Sequence, residues 1–105
     1  MNQKQEQQKY NDQLSLVAKL AVNYARTGYG YFTMCTSFND LCDLSGANKG
    51  IDRDSSIARR KLLVQSICIK CISSLSSVEN NRLESQLMEI AENIPEQHCS
   101  CRMHR

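Results

Sequence analysis

The stretch from Ile57 to Leu75, IARRKLLVQSICIKCISSL, is the most apolar run of this chain. It is too long for a strand, since strands usually run about four to eight residues. Its apolar residues form two adjacent ladders at every fourth position: Leu63, Ile67, Cys71 and Leu75, then Val64, Cys68 and Ile72. Leu62 and Ile69 widen this surface over most of the circumference, which is typical of a helix surrounded by other elements. We therefore predict a central core helix, with Leu63 and Ile67 fully buried.

Weaker apolar periodicities on both sides of this run predict three further helices. The four predicted helices cover about residues 10–27, 31–44, 56–76 and 78–94. Gly28 suits the end of the first helix, and Pro95 prevents the last one from continuing. Because the connections are short, we predict an all-α fold, a small four-helix bundle-like single domain over residues 1–105. Residues 95–105 lack periodicity and are expected to form a flexible tail that contains Cys and His.

Composition places the chain among ordinary globular domains. It has 105 residues, of which 41% are hydrophobic and 23% charged, and this length fits one domain. The N-terminal segment lacks the apolar core of a signal peptide, and no run reaches the roughly 18 apolar residues of a membrane span. We therefore expect a cytoplasmic protein that does not contact membranes and whose six cysteines are mostly reduced thiols.

The charged residues are unevenly distributed along the chain. Residues 51–75 carry five Lys or Arg and two Asp, whereas residues 76–97 carry one Arg and five Glu. The favoured interpretation is that the basic start of the core helix is a solvated face beside the acidic last helix, although exposed ion pairs contribute only ~0–1 kcal/mol each. An alternative is a phosphate-binding cluster for nucleic acid, formed by Arg53, Arg59, Arg60 and Lys61. The formal net charge of +2 is too small to indicate nucleic acid by itself.

The cysteines and histidines suggest a metal site as a second alternative. Zinc takes four thiolate or imidazole ligands, and the candidates are Cys68, Cys71, His98, Cys99, Cys101 and His104. Two features count against zinc: the CxxC pair lies inside the most apolar helix, and the CxC spacing is tight for one ion. A redox CxxC would need an exposed helix N-terminus to lower the thiol pKa. We therefore favour two core thiols without a cofactor, and keep the zinc site as an alternative.

No catalytic constellation stands out in the sequence. Both histidines lie in the C-terminal segment, and no paired carboxylates sit beside a predicted cleft. We therefore expect a protein without enzymatic activity. The leading hypothesis is a small adaptor or regulatory protein that works by binding another macromolecule, a protein partner of unknown identity, and homodimer formation is compatible with this role. The alternatives are a nucleic-acid-binding regulator and a zinc-binding protein.

Overall fold

A computed structural model of the protein describes residues 2–49 and 52–93, and these residues form four α-helices. The helices are α1 (Asn2–Thr27), α2 (Tyr31–Ser45), α3 (Arg53–Cys71) and α4 (Ser77–Asn93), with a short 3-10 turn at Ala47–Lys49. No strand occurs in the described ranges, so the predicted all-α, bundle-like fold is confirmed. Within these same ranges, none of the helices has both the length and the apolar character needed to cross a bilayer. The predicted tail at 95–105 lies outside the described residues.

Helix α1 begins at Asn2, eight residues before the predicted start at residue 10. The extra turns are rich in Gln and Lys, whose unbranched side chains lose little freedom in a helix. Side chains one turn apart also bond to each other: Gln7 Nε2 donates to Asn11 Oδ1 at 3.3 Å, and Gln8 Nε2 donates to Asp12 Oδ1 at 2.9 Å. An apolar pattern cannot show such a start, because residues 5–9 are polar and exposed.

Helix α3 is displaced toward the N-terminus relative to the predicted range of 56–76. It begins at Arg53 because Asp52 caps it, with Asp52 Oδ1 accepting from the backbone N–H of Ser55 at 2.8 Å. It ends at Cys71, and Leu75 is buried although it lies beyond the helix. The other predicted boundaries agree within one residue.

Capping groups and glycines set the turns that join the helices. Gly28 and Gly30 carry φ angles of 78° and 85° between α1 and α2, a region that favours glycine. Ser76 and Glu79 form a capping box at the start of α4: Ser76 N donates to Glu79 Oε1 at 2.9 Å, and Glu79 N donates to Ser76 Oγ at 3.2 Å. The same backbone N–H of Ser76 holds the pKa of Glu79 below its ordinary value.

The hydrophobic core draws on all four helices, with α3 packed against both α1 and α4 and α1 packed against α2. Its largest fully buried side chains are Phe38, Met34, Leu41, Ile67, Leu83, Leu87, Val17, Val64, Cys42 and Cys71. Ile67 has no exposed surface and Leu63 is 7% exposed, so the predicted burial of both side chains is confirmed.

Two isoleucines of α3 give a matched test of this packing. We expect Ile67→Ala to lower the free energy of unfolding by ~2–5 kcal/mol, because it leaves a cavity in the core. Ile69→Ala, at a side chain that is 68% exposed, should cost less than about 0.5 kcal/mol. Urea denaturation followed by far-UV circular dichroism measures both, and equal losses would show that the buried face of α3 is misassigned.

Candidate interaction surface on helix α3

The outer face of α3 exposes several large apolar side chains. Leu62 is 63% exposed, Ile69 is 68% exposed, and Ile72, the residue that follows the last helical position, is 59% exposed. The expectation that other elements surround this helix is therefore wrong. Ile67 and Ile69 are two positions apart, which separates them by about 200° around the helix axis, so one lies in the core and the other faces outward.

These exposed side chains follow a regular spacing. Together with two further exposed residues they recur at intervals of four, three, four and three residues, and we call this set the α3 stripe: Ala58, Leu62, Gln65, Ile69 and Ile72. Alternation of three and four is the spacing of a heptad seam, which keeps one line of side chains facing a partner helix. Gln65 is the polar member, at the centre of the row.

The inner face of α3 is tied down by hydrogen bonds as well as by apolar packing. Arg60 is only 3% exposed; its Nε donates to Asn48 Oδ1 at 2.8 Å and its Nη1 donates to the Ala91 carbonyl at 3.0 Å. Near the other end, the Cys71 thiol donates to the Ala18 carbonyl at 3.7 Å. Since contacts to three neighbouring elements hold the inner face, the α3 stripe is presented by a fixed helix.

A shallow groove runs along each side of the α3 stripe. The groove between α3 and α4 has a volume of about 350 Å³ and is lined by Gln65, Cys68, Ile69, Ile72, Asn80 and Glu84. The groove between α1 and α3 has a volume of about 270 Å³, and its lining includes Lys19 and Lys70. The stripe therefore forms a ridge between two recesses, a shape into which the side chains of a partner could pack.

The two flanks of this ridge differ in charge. Arg59 and Lys70 are eleven positions apart, close to three full turns, so both lie on the flank toward α1, where Lys19 also lies. The opposite flank belongs to α4 and carries Glu84 in the groove wall and Glu92 beside Lys61. One side of the stripe is therefore basic, whereas the other carries the carboxylate of Glu84 and the Lys61–Glu92 ion pair.

The structure places three of the four basic residues of the predicted phosphate-binding cluster at the C-terminal end of α4 and the fourth, Arg59, on the opposite flank of the α3 stripe. Arg60 is buried, Arg53 Nη2 donates to the Glu92 carbonyl at 2.9 Å, and Lys61 Nζ lies 2.8 Å from Glu92 Oε2. Arg59 is exposed on the flank described above. Three of the four therefore contact the C-terminal end of α4, and the nucleic-acid hypothesis remains a prediction.

These three cations lie near the C-terminus of α4, where positive charge is favourable. The last carbonyls of a helix have no partners within it, and its C-terminus carries a partial negative charge. Helix α4 has no basic residue in its own last turn. The burial of Arg60 could have been predicted from the sequence. Arg60 precedes Val64 by four positions and Ile67 by seven, so it lies on the same face of the helix as these buried residues.

The thiols of the CxxC pair are both buried, Cys68 with 8% and Cys71 with no exposed surface. Burial raises the pKa of Cys68 to about 11, with a smaller contribution from Glu84, and it also raises the pKa of Cys71. Protonated thiols are poor metal ligands and poor nucleophiles at neutral pH. Among the described residues, no three His, Cys, Asp or Glu side chains are grouped to hold a metal ion.

The other four candidate zinc ligands, His98, Cys99, Cys101 and His104, lie outside the described residues. The zinc hypothesis therefore stays untested, and what the structure adds is the environment of Cys68 and Cys71. Any site built from all six residues would have to draw these two thiols out of the core or bring the C-terminal segment to them.

The α3 stripe is a regular row of exposed side chains, although Phe32 and Tyr29 are individually more exposed than its leucine and isoleucine members. Single exposed apolar side chains are ordinary on protein surfaces, whereas several on one helix face form a patch of the kind that is common at interaction sites. Comparisons of the chain with protein-family models, curated protein sequences and solved structures find no match. The functional conclusion therefore depends on the physical properties of this surface.

Two neighbouring arginines allow a test of the contact between α3 and α4. We expect Arg60→Ala to lower the free energy of unfolding by ~1–3 kcal/mol, because it leaves the buried Ala91 carbonyl without its donor. Arg59→Ala removes the same side chain from an exposed position and should change stability by less than about 0.5 kcal/mol. Thermal or urea unfolding distinguishes the two, and an unaffected Arg60→Ala variant would contradict the buried guanidinium.

The buried thiols give a prediction that depends on pH. At pH 8 we expect Cys68 and Cys71 to resist iodoacetamide in the native protein, while Cys99 and Cys101 react and a chelator leaves the melting temperature unchanged. Because folding raises the pKa of Cys68 from 9.0 to about 11, its contribution to stability is complete below pH 9 and is lost as the pH rises toward 11. Mass spectrometry of the alkylated protein locates the modified residues. Protection of Cys99 and Cys101 that the chelator abolishes would support the zinc site instead.

Proposed function

We propose that this protein is a binding module without catalytic activity that engages another macromolecule through the α3 stripe. The observation that carries the proposal is the row of exposed apolar side chains at heptad spacing, with Leu62, Ile69 and Ile72 each more than half exposed. Burial of apolar surface contributes roughly 25 cal/mol per Å², so a partner that covers this row gains free energy. The stripe offers hydrocarbon and one amide, and these groups suit recognition rather than chemistry.

The rigidity of α3 supports this role. Its inner face is held by core packing and by the hydrogen bonds of Arg60, so a partner would not have to order the helix on binding. Pre-organisation of this kind preserves affinity, because ordering a segment costs free energy at the moment of association. Apolar anchors repeated at three and four residues are also the pattern by which helical partners recognise one another. A protein partner with a helical face is therefore favoured over nucleic acid.

A pair of charge-introducing substitutions tests the proposal. Ile69→Glu places a carboxylate in the α3 stripe, whereas Phe32→Glu makes a similar change at a side chain that is 82% exposed on α2. A glutamate in the first turn of α2 also suits the helix dipole, so the control should fold. Far-UV circular dichroism should confirm that both variants keep the helical content of the wild type.

The wild type and each variant are immobilised and incubated with the native lysate, to which a tagged second copy of the chain has been added. Binding is measured as the amount of lysate protein and of tagged chain that each retains. We expect the wild type and Phe32→Glu to retain the same partners, and Ile69→Glu to lose them by at least about tenfold, as a buried charge at an interface core requires. Equal capture by all three proteins, or loss only with Phe32→Glu, would contradict the proposed surface.

A further inference from the structure

The α3 stripe has the properties of a surface that can pair with itself. Its five positions span about 21 Å along the helix axis, with Gln65 in the middle and apolar residues on both sides. If two copies align in register and in the same direction, Leu62 meets Leu62 and Ile69 meets Ile69 in successive layers. The two Gln65 amides then face each other and can exchange hydrogen bonds, since each carries both a donor and an acceptor. A single polar layer of this kind fixes the register of a coiled-coil pair.

Two-fold symmetry leaves two ways to pair the stripes. With the axis along the helices, the copies run parallel and the flank toward α1 in one copy meets the flank toward α4 in the other. With the axis across the helices, the copies run antiparallel and each flank meets the same flank of the other copy. Because the flanks differ in charge, the two arrangements differ in electrostatic energy.

The positions of the charged side chains along the axis of α3 favour the parallel arrangement. Glu84 lies alongside residues 65–72 of α3 because it lines the α3–α4 groove with them, and Glu92 lies level with Lys61 because the two form an ion pair of 2.8 Å. In a parallel pair, Lys70 of one copy therefore comes opposite Glu84 of the other. Arg59 comes opposite the Lys61–Glu92 ion pair, whose charges largely cancel. Lys70 and Glu84 therefore form the contact that favours the parallel arrangement, and symmetry provides it twice.

The antiparallel arrangement brings like charges together. When Leu62 lies opposite Ile69 of the second copy, Arg59 lies opposite Lys70 on the shared basic flank. Like charges in register disfavour an interface and exclude the wrong pairing. The chain therefore carries on its own surface both the apolar seam and the charges that complement it.

From these relations, and resting on the proposed role of the α3 stripe, we propose that its partner is a second copy of this chain in a parallel two-fold dimer. The seam is only two heptads long, and stable interfaces bury about 1,200 Å² or more, so the dimer is reversible and depends on protein concentration. The adjoining grooves extend the contact, because the ridge of each copy is flanked by recesses on both sides.

Sedimentation velocity over a wide range of protein concentration tests whether the second copy occupies the stripe. The wild type should pass from monomer to dimer as concentration rises. Ile69→Glu should remain monomeric, while Phe32→Glu should dimerise like the wild type. Wild-type protein that is monomeric at every concentration would overturn the inference, as would a dimer that is indifferent to Ile69→Glu.

Charge reversal then tests the direction of pairing. In the parallel dimer, Lys70→Glu and Glu84→Lys should each weaken association by about tenfold, since each change acts twice in the symmetric pair. The double variant restores opposite charges and should recover association to within about threefold of the wild type. Lys70→Glu would instead strengthen an antiparallel dimer, because it places a carboxylate opposite Arg59, and that result would overturn the parallel arrangement.

The two proposals can fail separately. If the wild type stays monomeric but other proteins are captured in a manner that depends on Ile69, the dimer is refuted and the binding role of the α3 stripe stands. If neither self-association nor capture depends on Ile69, both are refuted. Urea unfolding of each variant keeps these results interpretable, because it shows that a loss of association is not a loss of folding.

Discussion

The buried guanidinium of Arg60 is the constraint on which the arrangement of α3 depends. It is 3% exposed and donates to Asn48 Oδ1 and to the carbonyl of Ala91. A buried cation is tolerated only when its hydrogen-bonding capacity is met, so these acceptors must stay in place. One side chain thus ties α3 both to the end of α4 and to the short turn after α2. In doing so it fixes how α3 is rotated about its own axis, and hence which residues face outward.

Three cationic side chains of α3 contact the last turn of α4. Arg53 and Arg60 each donate to a carbonyl in the last turn of α4, and Lys61 pairs with the side chain of Glu92. Because cations near a helix C-terminus are favourable, the basic half of α3 stabilises a helix whose own last turn has no basic residue. The uneven distribution of charge along the chain therefore stabilises the contact between α3 and α4. Arg59 and Lys70 take no part in this contact, because they lie on the other flank of the ridge.

Periodicity in the sequence was sufficient to predict four helices and the burial of Leu63 and Ile67. It was insufficient where structure does not depend on apolar side chains, as in the first turns of α1, where helix propensity and side-chain hydrogen bonds replace burial. It also failed to distinguish the two apolar faces of α3. Both faces carry Leu and Ile, and what separates them is the position of Arg60 in the inner ladder together with carbonyls supplied by α4, which is distant in sequence.

The outer residues of α3 contribute little to the fold of a single copy. Leu62 and Ile69 are each more than three-fifths exposed, so the packing of one copy gives no reason for large apolar side chains at these positions. A helix that needed only to cover the core would fold as well with polar residues there, as the outer face of an amphipathic helix usually has. The proposed contact with a second copy would supply that reason. Heptad spacing, a central Gln65 and flanks that differ in charge suit the proposed pairing. In that dimer the same helix would organise the core through its inner face and the interface through its outer face.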